Sequence, residues 1–504
     1  MSQIYFRKRK EERGVVLVGT LGLLVFLGLF GAVGTSVTLS SVAVHATHIQ
    51  GTQSLAIADA GAEWYLEQLE GDADWTNEVN QTLTFAEGSF TISIAAATAA
   101  QVTFTSTGSV VSPLSGVTVQ RTVTMTAEKL PPAFKFALYQ GRDPGSNFRL
   151  TTTSGNHTTV TGDMWSRGVV RIDVNNSVTG TTYVADSESV IGAGTYTAKL
   201  IAAPYLSMPV IDATAYTTLI SGYNALLDAN SSTVSRTLTN TNFDIAVASP
   251  DCSGSPVVCN FRNFTTRGLG GTVNITGNGT ICINRTGSLH NGSQVNSTSN
   301  LVITPDAGGS ITVITNRNLN IGKNNNPTVS CNGNCTFYSR TQASNQRLRI
   351  FGQNTSLNDV LLMSNRRVTV QNGADIGSDS VAFVNYAGDN SNNRFEIFGA
   401  AGVTTFDGTL ISLSRRTDGL TIRNGGASKA NVSVTGLVYE RGTATTGGCF
   451  IEDASVSGSV VCNVYQNNRI RNAAIIYSTA SLPSTPPAGF ENSVSVQSNS
   501  WDGL

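Results

Sequence analysis

The hydrophobic pattern changes three times along the chain. Residues 15–34 contain no charge and form an apolar run of 20 residues, about the length that a helix needs to cross a hydrocarbon core of roughly 30 Å. Apolar residues then continue at helical spacing without a proline, at Leu55, Ala58, Ala62, Leu66 and Leu69. We therefore predict one long helix over residues 15–70, with its first part in a membrane and the remainder outside it.

Alternation of apolar and polar residues replaces the helical spacing after residue 71. The segments "QTLTF", "GSFTISIAAA", "QVTFTSTGSV" and "VTVQRTVTMTAE" alternate between turn signals, which predicts a small β-rich region over residues 71–132. Pro131 and Pro132 mark its end. We expect this region to pack against the end of the long helix.

A loose repeat fills residues 133–504, where short apolar strands end in Asn/Gly turns. The last isoleucine or valine of five such strands recurs at steps of 29, 20, 27 and 25 residues, at Ile321, Ile350, Val370, Ile397 and Ile422. Periods of this length with several strands each favour a mainly β fold, a right-handed parallel β-helix. Residues 208–229 have helical spacing and predict an inserted helix that caps or bridges the coils. The alternative is a β-sandwich or an array of Ig-like domains, which would pair its strands antiparallel.

Charge and composition limit the classes of partner. The net charge is −1, and no run rich in lysine or arginine follows the N-terminus, so the sequence predicts no nucleic-acid partner. Five basic residues precede the apolar run within the first 13 positions, which predicts that residues 1–14 are cytoplasmic and that the bulk of the chain is exported.

Cysteine spacing predicts disulfides and no zinc site. Six of the seven cysteines form close sequence pairs: Cys252 with Cys259, Cys331 with Cys335, and Cys449 with Cys462. Local disulfides suit a β-rich exported segment, although simple buried thiols are the alternative and the connectivity stays open. Cys282 is the odd residue, and no compact four-ligand pattern for zinc is present.

The N-terminus resembles that of type IV pilins, and especially of PilX-type minor pilins. The residues that carry the resemblance are the basic leader ending in Gly14, the apolar segment that begins at once, and the helix end "LAIADAGAEWYLEQL". The resemblance implies that a prepilin peptidase cuts after Gly14, that Val15 becomes the methylated N-terminus, and that the helix packs in the core of a filament. The loose order of segments between residue 159 and the C-terminus also resembles the β-helical region attached to many PilX-type proteins. A plain membrane anchor is the alternative.

One position departs from the pattern of the major pilins. Those proteins carry a glutamate at the fifth mature position, where this chain has Gly19. The carboxylate is thought to neutralise the N-terminal amine of a neighbouring subunit, a pairing that makes sense because an unpaired buried charge is costly. Its absence resembles the pattern of tip subunits and predicts a place at the tip.

Candidate chemical groups are few, and most have an ordinary structural explanation. An enzyme on a β-helix needs converging carboxylates with basic partners. The candidates are Asp359, Asp375, Asp379, Asp389, Asp407 and Asp418, with Arg366, Arg367, Arg415 and Arg416. Most of these aspartates stand in turn contexts, where Asp is expected for its backbone hydrogen bonds.

Two further residue groups were considered as binding sites. The histidines His45, His48, His157 and His290 offer only one close pair, on the long helix, so no metal or other cofactor is predicted. Aromatic side chains that would suit a glycan-binding surface are Trp165, Tyr338, Tyr386 and Tyr439, although the sequence favours the core for them.

The sequence thus predicts a non-enzymatic filament subunit, a PilX-type minor pilin at or near the tip whose β-helical head mediates adhesion or subunit contacts. Its expected partners are other pilins, prepilin peptidase, the inner membrane before assembly, and a surface or glycan ligand. The expected location is the inner membrane and then the extracellular pilus or cell surface. The alternatives are a tip pseudopilin of a type II secretion system and a membrane-anchored polysaccharide-active enzyme.

Overall fold

The chain is mainly β, with one long N-terminal helix, and divides into two compact units. The computed structural model describes residues 3–71, 80–85, 88–97, 101–112, 116–128, 131–142, 147–152, 157–185, 189–203, 206, 208–239, 241–245, 251–267, 271–289, 300–322, 328–340, 347–385, 394–399, 402–414, 418–424, 432–441, 448–465, 469–482 and 495–496. One unit comprises Met1–Glu128 with Val494–Leu504, and the other comprises Lys129–Ser493. We call them the helix unit and the ladder unit. The predicted head included residues 494–504, which fall instead in the helix unit.

The helix unit consists of α1 (Gln3–Gly71) and one antiparallel sheet. In order across the sheet, its strands are β1 (Gln81–Phe85), β2 (Gly88–Ala97), β3 (Gln101–Val111), β4 (Thr118–Glu128) and β39 (Ser495–Val496). The last strand belongs here because Ser495 and Val496 pair with Glu128 and Ala127 of β4.

The C-terminal part of α1 packs closely on this sheet. Ala58, Ala62 and Tyr65 of the helix are fully buried, in a core shared with apolar residues of β2, β3 and β4. Contact is close enough to need glycine: a Cβ at Gly108 of β3 would lie 2.0 Å from the carbonyl oxygen of Ser54. The predicted helical stripe is therefore the face that meets the sheet.

The ladder unit is built from strands that pair in parallel with strands far along the chain. The only antiparallel pairing among its described strands joins β15 (Cys252–Ser253) and β16 (Val258–Phe261), so the sandwich alternative is wrong for this part of the chain. Five long strands bend and serve two ladders: β10 (Ser177–Ala185), β30 (Asp375–Val384), β32 (Thr404–Ser412), β34 (Val432–Glu440) and β36 (Ser455–Cys462). β12 (Thr195–Ala203) ends both of these ladders.

Ladder 1 contains the first parts of the bent strands. Its other members are β7 (Thr159–Thr161), β14 (Phe243–Asp244), β18 (Thr272–Gly277), β21 (Asn300–Pro305), β24 (Val329–Cys331), β27 (Thr355–Leu357) and β38 (Ala474–Ile476).

Ladder 2 contains the second parts of the bent strands. Its other members are β5 (Leu138–Gln140), β8 (Met164–Ser166), β15 (Cys252–Ser253), β16 (Val258–Phe261), β19 (Gly279–Ile283), β22 (Ile311–Thr315), β25 (Cys335–Ser339) and β28 (Val360–Ser364).

Ladder 3 is a separate sheet of 13 strands. These are β6 (Phe148–Thr151), β9 (Val170–Ile172), β11 (Val190–Ile191), β13 (Ser235–Thr239), β17 (Asn263–Arg267), β20 (Gly287–Leu289), β23 (Leu319–Ile321), β26 (Leu348–Phe351), β29 (Arg367–Gln371), β31 (Arg394–Gly399), β33 (Leu420–Asn424), β35 (Cys449–Glu452) and β37 (Arg469–Arg471).

The five residues that marked the sequence repeat occupy one register column of ladder 3. Ile321 pairs with Ile350, which continues through Val370 and Ile397 to Ile422. All five are fully buried in a core shared by the three ladders. The strands therefore pair in one register although the steps in sequence are unequal, since the segments between the strands differ in length.

The order of the strands in space differs from their order in the chain. β36 pairs with β5, and β5 pairs with β8, so the earliest strands of the unit stack beyond the latest ones. The two strands on either side of α2 (Thr214–Ala229), β12 and β13, lie at opposite ends of their ladders. The predicted inserted helix therefore lies in a segment that returns from one end of the ladders to the other.

Glycines line the bend between ladders 1 and 2. Gly408, Gly436 and Gly458 pair in register and adopt φ angles of +142°, +121° and +136°. A Cβ at Gly436 would lie 2.0 Å from the carbonyl oxygen of Gly408, and one at Gly458 would meet Gly436 at the same distance. The bend needs glycine because both the backbone angle and the stacking distance exclude a side chain.

Candidate functional site

The first half of α1 presents an apolar surface over its entire circumference. Its large apolar residues from Val16 to Ile49 are 50% to 73% exposed, although polar serine, threonine and histidine residues appear after residue 34. Among the described residues, α1 is the one helix long and apolar enough to cross a membrane. This half contrasts with the sheet-covered half that follows it.

The residues predicted for processing lie inside this helix. α1 begins at Gln3 and runs without interruption through Gly14, Val15 and Gly19, so the predicted leader and mature helix are one element. A Cβ at Gly19 would have no atom within 4 Å. Cleavage after Gly14 and methylation of Val15 stay predictions.

Three of the four aromatic candidates for an adhesive surface are buried. Trp165 is 2% exposed, Tyr338 and Tyr439 are fully buried, and Tyr386 lies outside the described residues. These three side chains are therefore part of the packed interior and do not form an adhesive surface. They belong to one register column on the outer side of ladder 2, which we call the covered column: Cys282, Ile314, Tyr338, Met363, Phe383, Ile411, Tyr439, Val461, Tyr139, Trp165 and Tyr183.

The chain between β12 and β13, which contains α2 and which we call the returning segment, covers this column. Tyr216 of α2 stacks on Phe383 with ring centroids 4.4 Å apart. The Tyr338 hydroxyl donates to Asn224 Oδ1 at 2.8 Å, and the Tyr439 hydroxyl donates to the Pro209 carbonyl oxygen at 2.7 Å. Burial raises the pKa of both tyrosines well above the ordinary value. The aromatic residues that the sequence offered for binding thus hold the returning segment in place.

The structure contains the three disulfides that the spacing predicts, Cys252–Cys259, Cys331–Cys335 and Cys449–Cys462. Cys282 is a free, buried thiol in the covered column. Burial raises its pKa to about 11. The Asn230 side chain, just after α2, donates to the Cys282 carbonyl oxygen at 2.9 Å. Cys282 therefore lies beneath the part of the returning segment that follows α2.

The candidate carboxylates fall into separate places. Asp375, Asp379 and Asp407 approach one another near the bend of ladders 1 and 2, where burial first and then the charges of Asp379 and Asp375 raise the pKa of Asp407. Asp359 is exposed with a φ of +52°, as its turn context predicts. Asp389 lies outside the described residues.

Asp418 lies on a different surface, beside ladder 3. Its Oδ2 accepts from Arg394 Nη1 at 2.7 Å, and Arg367 pairs with Glu396 of the neighbouring strand. Arg366 precedes Arg367, whereas Arg415 and Arg416 lie outside the described residues. Of the candidates within the described residues, Asp375, Asp379 and Asp407 thus lie near the bend of ladders 1 and 2, and Asp418 lies beside the arginines of ladder 3.

The described histidines lie in two places. His45 and His48 are exposed on α1, His157 lies near Thr152 in the ladder unit, and His290 is outside the described residues. Within the described ranges, no three His, Cys, Asp or Glu side chains are grouped so as to hold a metal ion.

Sequence reasoning missed the surface where most charge collects. Arginines that are 20 or more residues apart in the chain become neighbours on ladder 3, for example Arg367 and Arg394, which pair directly in register. A search for basic runs along the sequence does not detect them. The available signal was their place in the register repeat: Arg349 and Arg423 adjoin the markers Ile350 and Ile422, and Arg347, Arg367 and Arg394 each lie three positions before a marker.

Comparisons with known proteins add little. No protein-family model and no curated protein matches the chain. One match among solved structures is the competence-associated pilin ComZ from Thermus thermophilus, at 13% sequence identity, covering 89% of this chain and 96% of that chain with a TM-score of 0.21. A TM-score this low carries no argument about function, so the evidence for function comes from this chain's own residues.

Proposed function

We propose that the chain is a type IV pilin-like subunit, whose N-terminal helix inserts in the membrane and then packs with other pilin helices. One observation carries this proposal: α1 is a single 69-residue helix with an exposed apolar first half and a sheet-covered second half. A plain anchor needs only about 20 apolar residues and no rigid continuation. A helix that must leave the bilayer while staying straight explains both halves.

The apolar half of α1 has features suited to helix packing. Gly19, Gly22, Gly28, Gly31 and Gly34 lie in it, and each would cost about 1 kcal/mol relative to alanine in an isolated helix in water. Small residues instead let neighbouring helices approach closely in an apolar environment. The helix is therefore better suited to a bundle than to standing alone.

We further propose the finer assignment of a PilX-type minor pilin at or near the filament tip. Gly19 supports the tip position because no carboxylate is available to pair with the N-terminal amine of a neighbour. The three parallel ladders around one core support a β-solenoid head, and we propose a contact role for this head rather than an enzymatic one. A tip pseudopilin of a type II secretion system is the second candidate, favoured by the same missing carboxylate.

The experiment isolates sheared filaments from a host that assembles type IV filaments and expresses this chain. Mass spectrometry should find the chain in the filament fraction, with an N-terminal peptide that begins at methylated Val15. An intact leader together with absence from the filaments would overturn the proposal.

A matched pair of variants separates processing from folding. Gly14→Ile should block cleavage and keep the chain in the membrane fraction. Gly22→Ile, the same change further along the helix, should leave cleavage intact. Equal processing of both variants would count against a prepilin peptidase site at Gly14.

A further inference from the structure

The outer side of ladder 3 carries a stripe of arginines. Nine lie on or beside seven of the eight adjacent strands from β26 to β9, and we call this surface the arginine face. They are Arg347, Arg349, Arg367, Arg394, Arg423, Arg469, Arg471, Arg149 and Arg171. The same strands turn their isoleucines and valines, together with Phe148 and Phe395, inward to the core. Strand alternation alone therefore places these cations together on one surface.

Four carboxylates interleave with the nine guanidinium groups. Glu396 lies near three of them: it pairs with Arg367, and its Oε1 is 3.7 Å from both Arg394 and Arg423. Asp418 pairs with Arg394, Glu452 with Arg471, and Asp173 with both Arg149 and Arg171. Positive charge remains in excess, with nine cations against four anions among the described residues of this face.

The excess cations affect one another. Burial first, and then the charge of Arg367, lowers the pKa of Arg347, and burial followed by Arg347 and Arg367 lowers that of Arg349. An anion from solution would relieve this repulsion. Several of the guanidinium groups remain accessible to one: the side chains of Arg423, Arg149 and Arg171 are 42%, 43% and 45% exposed.

Aromatic rings lie between the cations. The guanidinium of Arg349 is 4.2 Å from the centroid of the Phe351 ring, and that of Arg423 is 5.1 Å from that of Phe398. Phe398 and Phe450 are partly exposed on the same side of ladder 3. Flat apolar surfaces beside guanidinium groups suit a ligand that has both an apolar ring face and negative charges.

We propose that the arginine face binds an acidic polysaccharide, a chain of uronic acid sugars that lies across the strands of ladder 3. This inference deepens the proposed contact role of the head by naming its ligand class. The sugar carboxylates pair with exposed guanidinium groups, the ring faces contact Phe398 and Phe450, and the hydroxyls donate to Glu452 and Asp173, whose side chains are 16% and 20% exposed. The interleaved carboxylates, which would repel a pure polyanion, thus have a function toward a sugar.

The density of charge favours a polysaccharide over nucleic acid. The eight strands span about 34 Å at a separation of about 4.8 Å. A B-form duplex carries one charge per about 1.7 Å, about 20 over that length, which the net excess of cations cannot match. A polyuronate carries one carboxylate per sugar, a repeat close to the strand separation, so it places only about seven charges along that length.

The experiment measures binding of the purified full chain in detergent to polygalacturonate. The matched control ligand is fully methyl-esterified polygalacturonate, which keeps the sugar rings and removes the charges. We expect binding to the acid form that weakens with salt, and no measurable binding to the ester. Equal binding of both forms, or binding of neither, would overturn the proposal.

Variants locate the site. Arg149→Gln with Arg171→Gln, and separately Arg423→Gln, should each weaken binding about tenfold, the loss expected for charge-assisted hydrogen bonds. Lys199→Gln with Arg236→Gln removes two exposed cations away from this face and should change binding less than about twofold. Thermal unfolding of each variant checks the fold, and Arg423→Lys, which keeps the charge but not the planar group, should retain part of the affinity.

Duplex DNA as competitor tests the rival ligand class. Displacement of polygalacturonate by DNA at a lower concentration of charge would contradict the sugar assignment and indicate a nucleic-acid surface. Because the assay uses purified protein, its failure would leave the filament proposal untouched. Absence of the chain from sheared filaments would likewise leave this binding result standing.

Discussion

The outer sides of ladders 2 and 3 share one architecture and differ in chemistry. Both ladders turn apolar residues inward to a common core, and both carry a register column of outward side chains. On ladder 2 that column is apolar and aromatic and lies beneath the returning segment. On ladder 3 the outward side chains of several columns include nine arginines, of which Arg423, Arg149 and Arg171 are 42–45% exposed. The difference separates a surface that holds the fold from a surface available for binding.

Removing the aromatic anchor of α2 should produce the largest effect. Tyr216 is 4% exposed and stacks on Phe383, so Tyr216→Ala should lower the free energy of unfolding by about 3–5 kcal/mol. Tyr216→Phe keeps the ring and should cost about 1 kcal/mol. On the other surface, Arg423→Gln should change stability by about 1 kcal/mol or less. Chemical denaturation measures all three, and similar losses for Tyr216→Ala and Arg423→Gln would erase the distinction between the two surfaces.

The second-largest loss of stability is expected at the bend between ladders 1 and 2. Gly436→Ala places a Cβ against the Gly408 carbonyl oxygen at a φ of +121°, so we expect a loss of about 2–3 kcal/mol. Gly222→Ala is the control, because a Cβ there meets nothing within 4 Å and alanine favours the helix. A stable Gly436→Ala protein with an unchanged unfolding midpoint would contradict the stacked-glycine bend.

The covered column should also protect its thiol. Cys282 is buried and its pKa is raised to about 11, so at pH 8 about one thiol in a thousand is ionised even before access is considered. A disulfide-exchange reagent should therefore leave the native chain unlabelled and label one thiol per chain in denaturant. Rapid labelling of the native chain would indicate that the returning segment does not cover this end of ladder 2.

The smallest effect concerns pH at the bend. The pKa of Asp407 is raised in the folded state, so folding favours its protonated carboxyl. The stability that this preference contributes is complete below the ordinary pKa of about 3.9, and it is lost as pH rises through the folded-state pKa. Asp407→Asn should therefore gain stability relative to the wild type as pH rises from about 3.5 to 7. Thermal unfolding across that range, with Asp359→Asn as the control for loss of one carboxylate, checks the sign. A constant difference would contradict the shift.

The sequence predicted the local elements of this chain better than their arrangement. The apolar run and the stripe containing Ala58 and Ala62 predicted α1, and the repeat from Ile321 to Ile422 predicted a buried register column of ladder 3. Both signals come from spacing within one element or one repeat. The return of β39 to β4 and the pairing of β36 with β5 could not be predicted, because short strands of similar composition do not encode which distant partner they choose.

The candidate sites failed for a related reason. Trp165, Tyr338 and Tyr439 were compatible with both a surface and a core, and only the cover provided by residues such as Tyr216 decided between them. The arginine face was missed because its members are dispersed in sequence. A surface that depends on register between distant strands becomes visible only when the register is known.

Arginine footprinting of the full chain tests the proposed binding surface most directly. A guanidinium-specific reagent is applied with and without polygalacturonate, and mass spectrometry measures the modification of each arginine. We predict that the ligand protects Arg423, Arg149 and Arg171, which are 42–45% exposed, and leaves Arg236, which is 48% exposed, unchanged. Equal protection of all four, or protection of Arg236 alone, would contradict the assignment of the arginine face as the binding surface.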